Sequence, residues 1–214
     1  MRRRTLAVGA AAATVLVTLG ACGNAGTTST GPSSSAGASS MSQSATEAHN
    51  EADVTFAQQM IPHHQQAVEM SDMVLGKQGI DPRVLDLAKQ IKAAQAPEID
   101  TMQSWLKQWG TPAEPTMSSM PGMSGMPGMS GMPGTSGMVG MMSSDDMAAL
   151  QNAQGVAAAK LYLTQMVQHH TGAIGMAQTE IGKGQNAEAI ALAHSIVTSQ
   201  QQEIDTMNRI LASL

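Results

Sequence analysis

The chain has 214 residues, a formal net charge of −5 and one cysteine, and these values exclude several classes of protein. The acidic balance argues against a nucleic-acid partner, because phosphate groups are contacted mainly by Lys and Arg. A single cysteine permits neither an intramolecular disulfide nor a cysteine-based zinc or copper site within one chain. Aromatic residues make up only 2% of the sequence, whereas methionine occurs 19 times. This composition predicts a slim core built from aliphatic and thioether side chains.

Residues 1–21 have the pattern of a bacterial signal peptide of the lipoprotein type. Arg2 to Arg4 form a basic start, and the apolar stretch from Leu6 to Gly20 is too short for a permanent membrane span. The run Leu19-Gly20-Ala21-Cys22 resembles a lipobox, in which the cysteine is acylated and becomes the new N-terminus. We therefore expect a lipid on Cys22 that anchors the chain on the extracytoplasmic face of the cell membrane. The general and the twin-arginine export routes both remain open.

Residues 22–45 are predicted to form a flexible stalk between the lipid and the folded domain. They are mainly Gly, Ser, Thr and Ala with almost no charge, so they have nothing with which to build a core. Loss of residues 1–21 removes three basic residues and no acidic one, which leaves eight basic and sixteen acidic residues and a net charge of −8. The exported chain is thus more acidic than its precursor.

Residues 46–109 are predicted to form a helical hairpin. The first helix should run from about Thr46 to Leu75. Asp81 and Pro82 then supply an N-cap and a first-turn proline for a second helix. Apolar residues recur along this second segment as far as Trp109 with the period of a helix that buries one face.

The segment 110–143, which follows the hairpin, is predicted to be a flexible linker rich in Met, Gly and Pro. Glycine recurs at every third position from 122 to 140, but there are too few triplets for a collagen helix. Methionine is an unusual choice for a plain tether, because its apolar and oxidisable side chain would be exposed. Thioether sulfur prefers soft ions such as Cu(I). We therefore predict weak metal sites at Met117, Met120, Met123, Met126, Met129 and Met132.

Residues 144–214 repeat the first hairpin. Residues 162–176 match residues 56–70 in register, and a second match follows in each copy. The helices are predicted from Ser144 to about Ile181 and from Asn186 to Ser213. No window alternates with the period of a strand. One hairpin alone would expose its apolar stripe, so the fold class is all-α, with the two hairpins packed as one four-helix bundle.

Each copy carries one methionine and two histidines on the same side of a helix, with the spacing i, i+3 and i+4. Imidazole and thioether groups together suit Cu(I). The candidate metal ligands are Met60, His63, His64, Met166, His169 and His170. Possible secondary ligands or supporting residues are Met70, Glu98, Met102, Met176, Glu203 and Met207. His49 and His194 have no counterpart in the other copy, so we interpret them as ordinary polar residues.

A purely structural interpretation of the histidine pairs competes with metal binding. In this interpretation one histidine of each pair faces the core and forms a hydrogen bond with Glu98 or Glu203. The resulting polar layer would fix the register of the helices. Adjacent histidines preceded by methionine in both copies favour metal binding.

The two motifs of each copy resemble those of a bacterial family of exported proteins, the domain of unknown function 305. Its members carry Met-x-x-His-His-x-x-Ala-hydrophobic-x-Met followed by Gln-x-x-Glu-Ile-x-x-Met, and here the match covers about 47–109 and 144–213. The resemblance implies a ferritin-like four-helix bundle, and relatives of the CopM type are periplasmic copper-binding proteins. Carried over, the first motif falls on Met60, His63, His64 and Met70 and on Met166, His169, His170 and Met176. The second falls on Glu98 and Met102 and on Glu203 and Met207.

The sequence as a whole predicts a membrane-anchored, extracytoplasmic protein that binds Cu(I), with Ag(I) as a further candidate ion, for buffering, sequestration or transfer. A structural lipoprotein that engages a protein partner is the alternative. A di-iron ferritin-like enzyme is a further alternative, but the chain lacks the Glu-x-x-His motif of such sites. It also lacks the zinc-protease and nucleophile-elbow motifs. We therefore expect no enzymatic activity and no cofactor other than copper.

Overall fold

The computed structural model describes residues 48–113 and 139–214. Within these ranges the chain is all-α, as predicted, with five helices and no strand. The signal peptide, Cys22, the stalk and the linker methionines from Met117 to Met132 lie outside the described residues. The helices are α1 (Glu51–Leu75), α2 (Pro82–Gln108), α3 (Ser144–Asn152), α4 (Gly155–Lys183) and α5 (Ala187–Leu211).

Side-chain caps fix where the helices begin. The Asn50 side chain accepts hydrogen bonds from the backbone N–H groups of Ala52 and Asp53, and the Asp53 carboxylate accepts one from the Asn50 N–H. The N-cap of α2 is Asp81, followed by Pro82, as the sequence indicates. Asn186 caps α5. Each cap satisfies backbone donors that the first helical turn leaves without partners.

The structure differs from the sequence prediction between Ser144 and Ile181, where one continuous helix was expected. The chain forms α3 and α4 instead, because Ala153 and Gln154 are extended and Gly155 has a φ of 52°. That left-handed conformation is readily adopted only by glycine. The short α3 packs against α1 and α4.

The four long helices pack in a closed cycle, in which α1 contacts α2 and α4, and α5 contacts α4 and α2. Their buried faces form two hydrophobic clusters. The Phe56 cluster also contains Met60, Met102, Trp105 and Ala173. The Tyr162 cluster contains Ala67, Met70, Leu163, Met166 and Met207. The N-terminal half of α1 contributes to the Phe56 cluster and its C-terminal half to the Tyr162 cluster, whereas α4 runs in the opposite direction. Each histidine pair lies in the middle of its helix, so both pairs are at the level between the two clusters.

A buried carboxyl pair joins the start of α1 to the turn between α4 and α5. Asp53 is 0% exposed and accepts hydrogen bonds from the backbone N–H groups of Asn50, Gln185 and Asn186. Glu180 is 1% exposed, and burial, together with the hydrogen bond and charge of Asp53, raises its pKa to about 8. Burial opposes ionisation of Asp53 as well, but hydrogen bonds from Glu180 and the backbone outweigh it and lower the pKa of Asp53. At neutral pH a protonated Glu180 therefore lies close to an ionised Asp53.

No helix in residues 48–113 and 139–214 is both long enough and apolar enough to cross a membrane.

Candidate metal centre

The histidine pairs meet in the interior of the domain. His63 and His64 on α1 and His169 and His170 on α4 are each 0% exposed. Adjacent residues of a helix point about 100° apart, so the two members of a pair face different neighbours. The rings of His63 and His169 face each other across α1 and α4, with centroids 3.7 Å apart and an interplanar angle of 41°. We call these four residues the histidine layer.

The second histidine of each pair contacts a glutamate of its own hairpin. The Nε2 atom of His64 lies 2.7 Å from Oε2 of Glu98, and Nε2 of His170 lies 2.6 Å from Oε2 of Glu203. These are the contacts that the structural interpretation predicts. The same contacts are also compatible with metal binding. Histidines that bind a metal through one ring nitrogen commonly donate the other ring N–H to a carboxylate, which fixes the tautomer. If Nε2–H donates to the glutamate, Nδ1 presents a lone pair.

The inner histidines, His63 and His169, are held in the neutral form. Burial, followed by the charges of His64 and His170, lowers the pKa of His63 to about 3. Burial, followed by the neighbouring histidines, also places the pKa of His169 well below its usual value. Backbone groups of Val139 and His63 oppose these shifts only in part. Both inner imidazoles are therefore uncharged at neutral pH, which is the form that binds metal ions.

Every imidazole of the histidine layer keeps a ring nitrogen without a hydrogen-bond partner. Both nitrogens of His63 and of His169 are buried and form no hydrogen bond of normal geometry, although the backbones of Val139 and His63 lie near these rings. The Nδ1 atoms of His64 and His170 are also buried and unpaired. A buried polar atom without a partner costs about 1–3 kcal/mol. Such a cost in the interior calls for an explanation, and an absent ion is one of the standard ones. The donor atoms present thus fit a metal that accepts imidazole nitrogen.

The candidate methionines divide between the two sides of the histidine layer. Met60 and Met102 are fully buried in the Phe56 cluster, whereas Met70, Met166 and Met207 are fully buried in the Tyr162 cluster. Met176 is partly exposed and lines a cavity of about 400 Å³ together with Phe56 and Glu180. The structure therefore brings the four histidines together and places thioethers on both sides of them.

The four histidines do not by themselves have the arrangement of a metal site in the described part of the chain, and carboxylates do not complete one. No group of three or more His, Cys, Asp and Glu residues with the arrangement of a metal site occurs in residues 48–113 and 139–214. Glu98 and Glu203 point their carboxylates to the outer imidazoles, with side chains 19% and 18% exposed. An ion at this level would need thioether sulfur in addition to imidazole nitrogen. This requirement favours a soft ion.

A loop that was not predicted from the sequence lies across the histidine layer. A Cβ atom on Gly172 would overlap the carbonyl oxygen of Val139, and one on Gly140 would stand 2.8 Å from the Cα atom of Gly172. Gln66 holds the same loop with two hydrogen bonds to the backbone of Met142. Gln66 and Gly172 occupy equivalent positions in the two copies. A glycine inside a helical pattern was the signal that another backbone approaches closely.

The two histidines that were not predicted to be ligands lie away from the layer. His49 stacks on Trp109, with ring centroids 4.6 Å apart and an interplanar angle of 11°. His194 is exposed on α5.

Several solved structures resemble this chain. A DUF305 fragment from Deinococcus radiodurans is 29% identical over 77% of this chain and 98% of its own, with a TM-score of 0.64. A putative secreted protein DUF305 from Streptomyces coelicolor is 34% identical over 76% of this chain and 93% of its own, with a TM-score of 0.65. CopM in its Cu(I)-bound form is 27% identical over 75% of this chain and 96% of its own, with a TM-score of 0.58. A search of curated proteins gave no match.

The family assignment rests on a match to most of the folded region. The profile of the domain of unknown function (DUF305) matches residues 53–211, a range that includes both histidine pairs and nearly all of the five helices. The chain therefore belongs to the DUF305 family.

Proposed function

We propose that this protein binds Cu(I), and also Ag(I), in an extracytoplasmic compartment, where it buffers, sequesters or transfers the ion. The observation that carries the proposal is the histidine layer, in which four buried imidazoles each keep a ring nitrogen without a hydrogen-bond partner. Methionine thioethers lie on both sides of the layer. Neutral imidazole and thioether are the donors that soft monovalent ions prefer.

The structural relatives support the same proposal. CopM has been solved in Cu(I)-bound, Cu(II)-bound and Ag-bound forms, at 27%, 30% and 28% identity to this chain. In our proposal the four long helices form a ferritin-like bundle whose histidine layer binds the ion, and the protein is not an enzyme. Met60 and Met166 are the nearest thioethers in sequence to the two pairs and are the proposed sulfur ligands.

The proposal is tested by an anaerobic titration with Cu(I), with Zn(II) and Fe(II) as controls. The protein used is the mature chain, which begins at Cys22. We expect Cu(I) to bind stoichiometrically and Fe(II) to bind weakly, because described residues provide no cluster of carboxylates for a hard ion. Tight Fe(II) binding with consumption of oxygen, in the absence of Cu(I) binding, would establish the di-iron alternative instead.

A structural lipoprotein with a His/Glu polar core is the second candidate. The hydrogen bonds of His64 with Glu98 and of His170 with Glu203 favour it, because they would hold the layer together without any ion. The same titration separates the two candidates. A chain that binds none of the three ions, yet is destabilised when Glu98 and Glu203 are replaced by Ala, has a structural layer.

Membrane anchoring through Cys22 is part of the proposed function. Replacing Cys22 by Ser should release the protein from the membrane fraction or leave the signal peptide uncleaved, because a lipid on this residue is the proposed anchor. Cell fractionation with an immunoblot for size checks both outcomes. Normal processing and unchanged membrane retention of the Cys22→Ser protein would contradict lipidation.

A further inference from the structure

The loop that follows the linker carries thioethers that neither histidine motif includes. Met141 and Met142 in this loop and Met147 in α3 line one cavity of about 380 Å³, whose opposite wall is formed by α1. Met142 is 6% exposed, and the other two methionines are partly buried. Glu69 of α1 lines the same cavity and is exposed. Three soft donors thus share one space with a carboxylate that would balance the charge of a cation.

The loop is held in place before any ion arrives. The Gln66 side-chain amide accepts a hydrogen bond from the Met142 N–H at 2.7 Å and donates one to the Met142 carbonyl at 2.9 Å. Gly140 has a φ of 89° and lies against the α4 backbone at Gly172. Ordering one residue costs roughly 1–2 kcal/mol of conformational entropy. Since this loop is already ordered, an ion bound here avoids most of that cost.

The cavity lies beside the histidine layer. Pro62, directly before the His63–His64 pair in α1, and Gln66, two residues after it, line the cavity. The loop also passes close to the inner histidine of α4. A Cβ atom on Gly140 would stand 3.0 Å from the carbonyl oxygens of Gln168 and His169. Because all four histidines are 0% exposed, an ion must pass surrounding groups to reach them.

We propose that Met141, Met142 and Met147 form a binding site for a soft monovalent cation, Cu(I) or Ag(I), on the path into the histidine layer. This inference rests on the proposed function, because the methionine site would be the entry site for the ion that the histidine layer binds. Thioether sulfur binds Cu(I) and Ag(I) in preference to harder ions. Hydrophobic packing alone is the competing explanation, and leucine distinguishes the two because it preserves apolar volume but removes sulfur.

Ag(I) titration of the mature chain labelled with ¹³C in the methionine methyl groups tests this site. We expect the methyl resonances of Met141, Met142 and Met147 to shift together and to saturate with one Ag(I). The variant with all three residues replaced by Leu should bind one Ag(I) fewer and fill the histidine layer more slowly. Met73→Leu is the matched control, because Met73 is also partly buried on α1 but does not line the cavity. It should change neither quantity.

The outcomes separate this inference from the proposed function. If the three resonances stay fixed while the histidine ring resonances shift, the entry site is wrong and ion binding by the histidine layer stands. If the triple Leu variant keeps its full stoichiometry and loading rate, the entry site is also wrong. If neither methionine nor histidine resonances shift, both proposals fail. Thermal unfolding of the triple variant checks that the fold is retained.

Discussion

Replacing His63, His64, His169 and His170 together by Gln should weaken the tightest Cu(I)-binding step by at least roughly 100-fold. Loss of a supporting residue alone typically costs 10–100-fold in metal affinity, and the loss of ligands costs more. Glutamine keeps a similar polar character but lacks the imidazole lone pair. The measurement is anaerobic competition with a Cu(I) chelator of known affinity, combined with thermal unfolding to check the fold.

Two matched variants make this result specific to the histidine layer. The double replacement His49→Gln and His194→Gln changes histidines outside the layer and should leave the tight step unchanged. Replacing Glu98 and Glu203 by Gln should weaken it less than the fourfold replacement, because these residues support the outer imidazoles through hydrogen bonds.

Removal of the linker gives the complementary experiment. The deletion must be confined to residues 114–138, because Val139 and Gly140 already lie against α4. When these residues are replaced by a short Gly/Ser bridge, we expect the protein to bind fewer Cu(I) ions in total. The tightest binding step should be retained. A tight step that survives the four Gln replacements and disappears with the linker would assign copper binding to the linker methionines. The histidine layer would then be structural.

Stability should fall as the pH rises from about 4.5 to about 8, because of Glu180. Its pKa is raised from 4.5 to about 8 in the folded state, so the folded chain keeps a proton that the unfolded chain releases in this range. The loss should be on the order of a few kcal/mol and should level off above pH 8. Asp53 acts in the opposite sense, since its pKa is lowered and its stabilisation is lost as the pH falls below about 4.

Urea unfolding of the metal-free chain at a series of pH values between 4 and 9 measures this effect. The Glu180→Gln variant keeps a hydrogen-bond donor next to Asp53 but carries no titratable group, so its stability should depend much less on pH above 4.5. Asp100→Asn is the control, because Asp100 is exposed on α2. A Glu180→Gln protein with the same pH profile as the original chain would show that Glu180 ionises normally in the folded state.

The sequence by itself determined the features that depend on neighbouring residues. The helical period predicted an all-α chain, and Asp81 followed by Pro82 marked the start of α2, because caps act within one helical turn. Comparison of the two halves revealed the duplication and singled out the histidine pairs and their methionines. The close match of the motifs also identified the family that the profile confirms.

Tertiary structure alone decided which groups meet. The structural interpretation of the pairs predicted a hydrogen bond with Glu98, but the adjacent positions of His63 and His64 did not indicate which of the two forms it and which faces His169. That choice depends on how each helix is rotated about its axis, which follows from packing against the other helices. The break before Gly155 did have one local signal, because a glycine inside a helical pattern can adopt the positive φ that ends or begins a helix.

The long-range contacts made by the loop at 139–143 and by Asp53 also needed the folded chain. Gln66 meets the Met142 backbone across 76 residues, and Asp53 meets the Asn186 N–H across 133 residues. Local propensity contains no information on such pairs, because they form only when burial of the apolar faces has brought the helices together. The sequence therefore determined the donor groups and their helices, and the packing of those helices decided that four imidazoles share one buried layer.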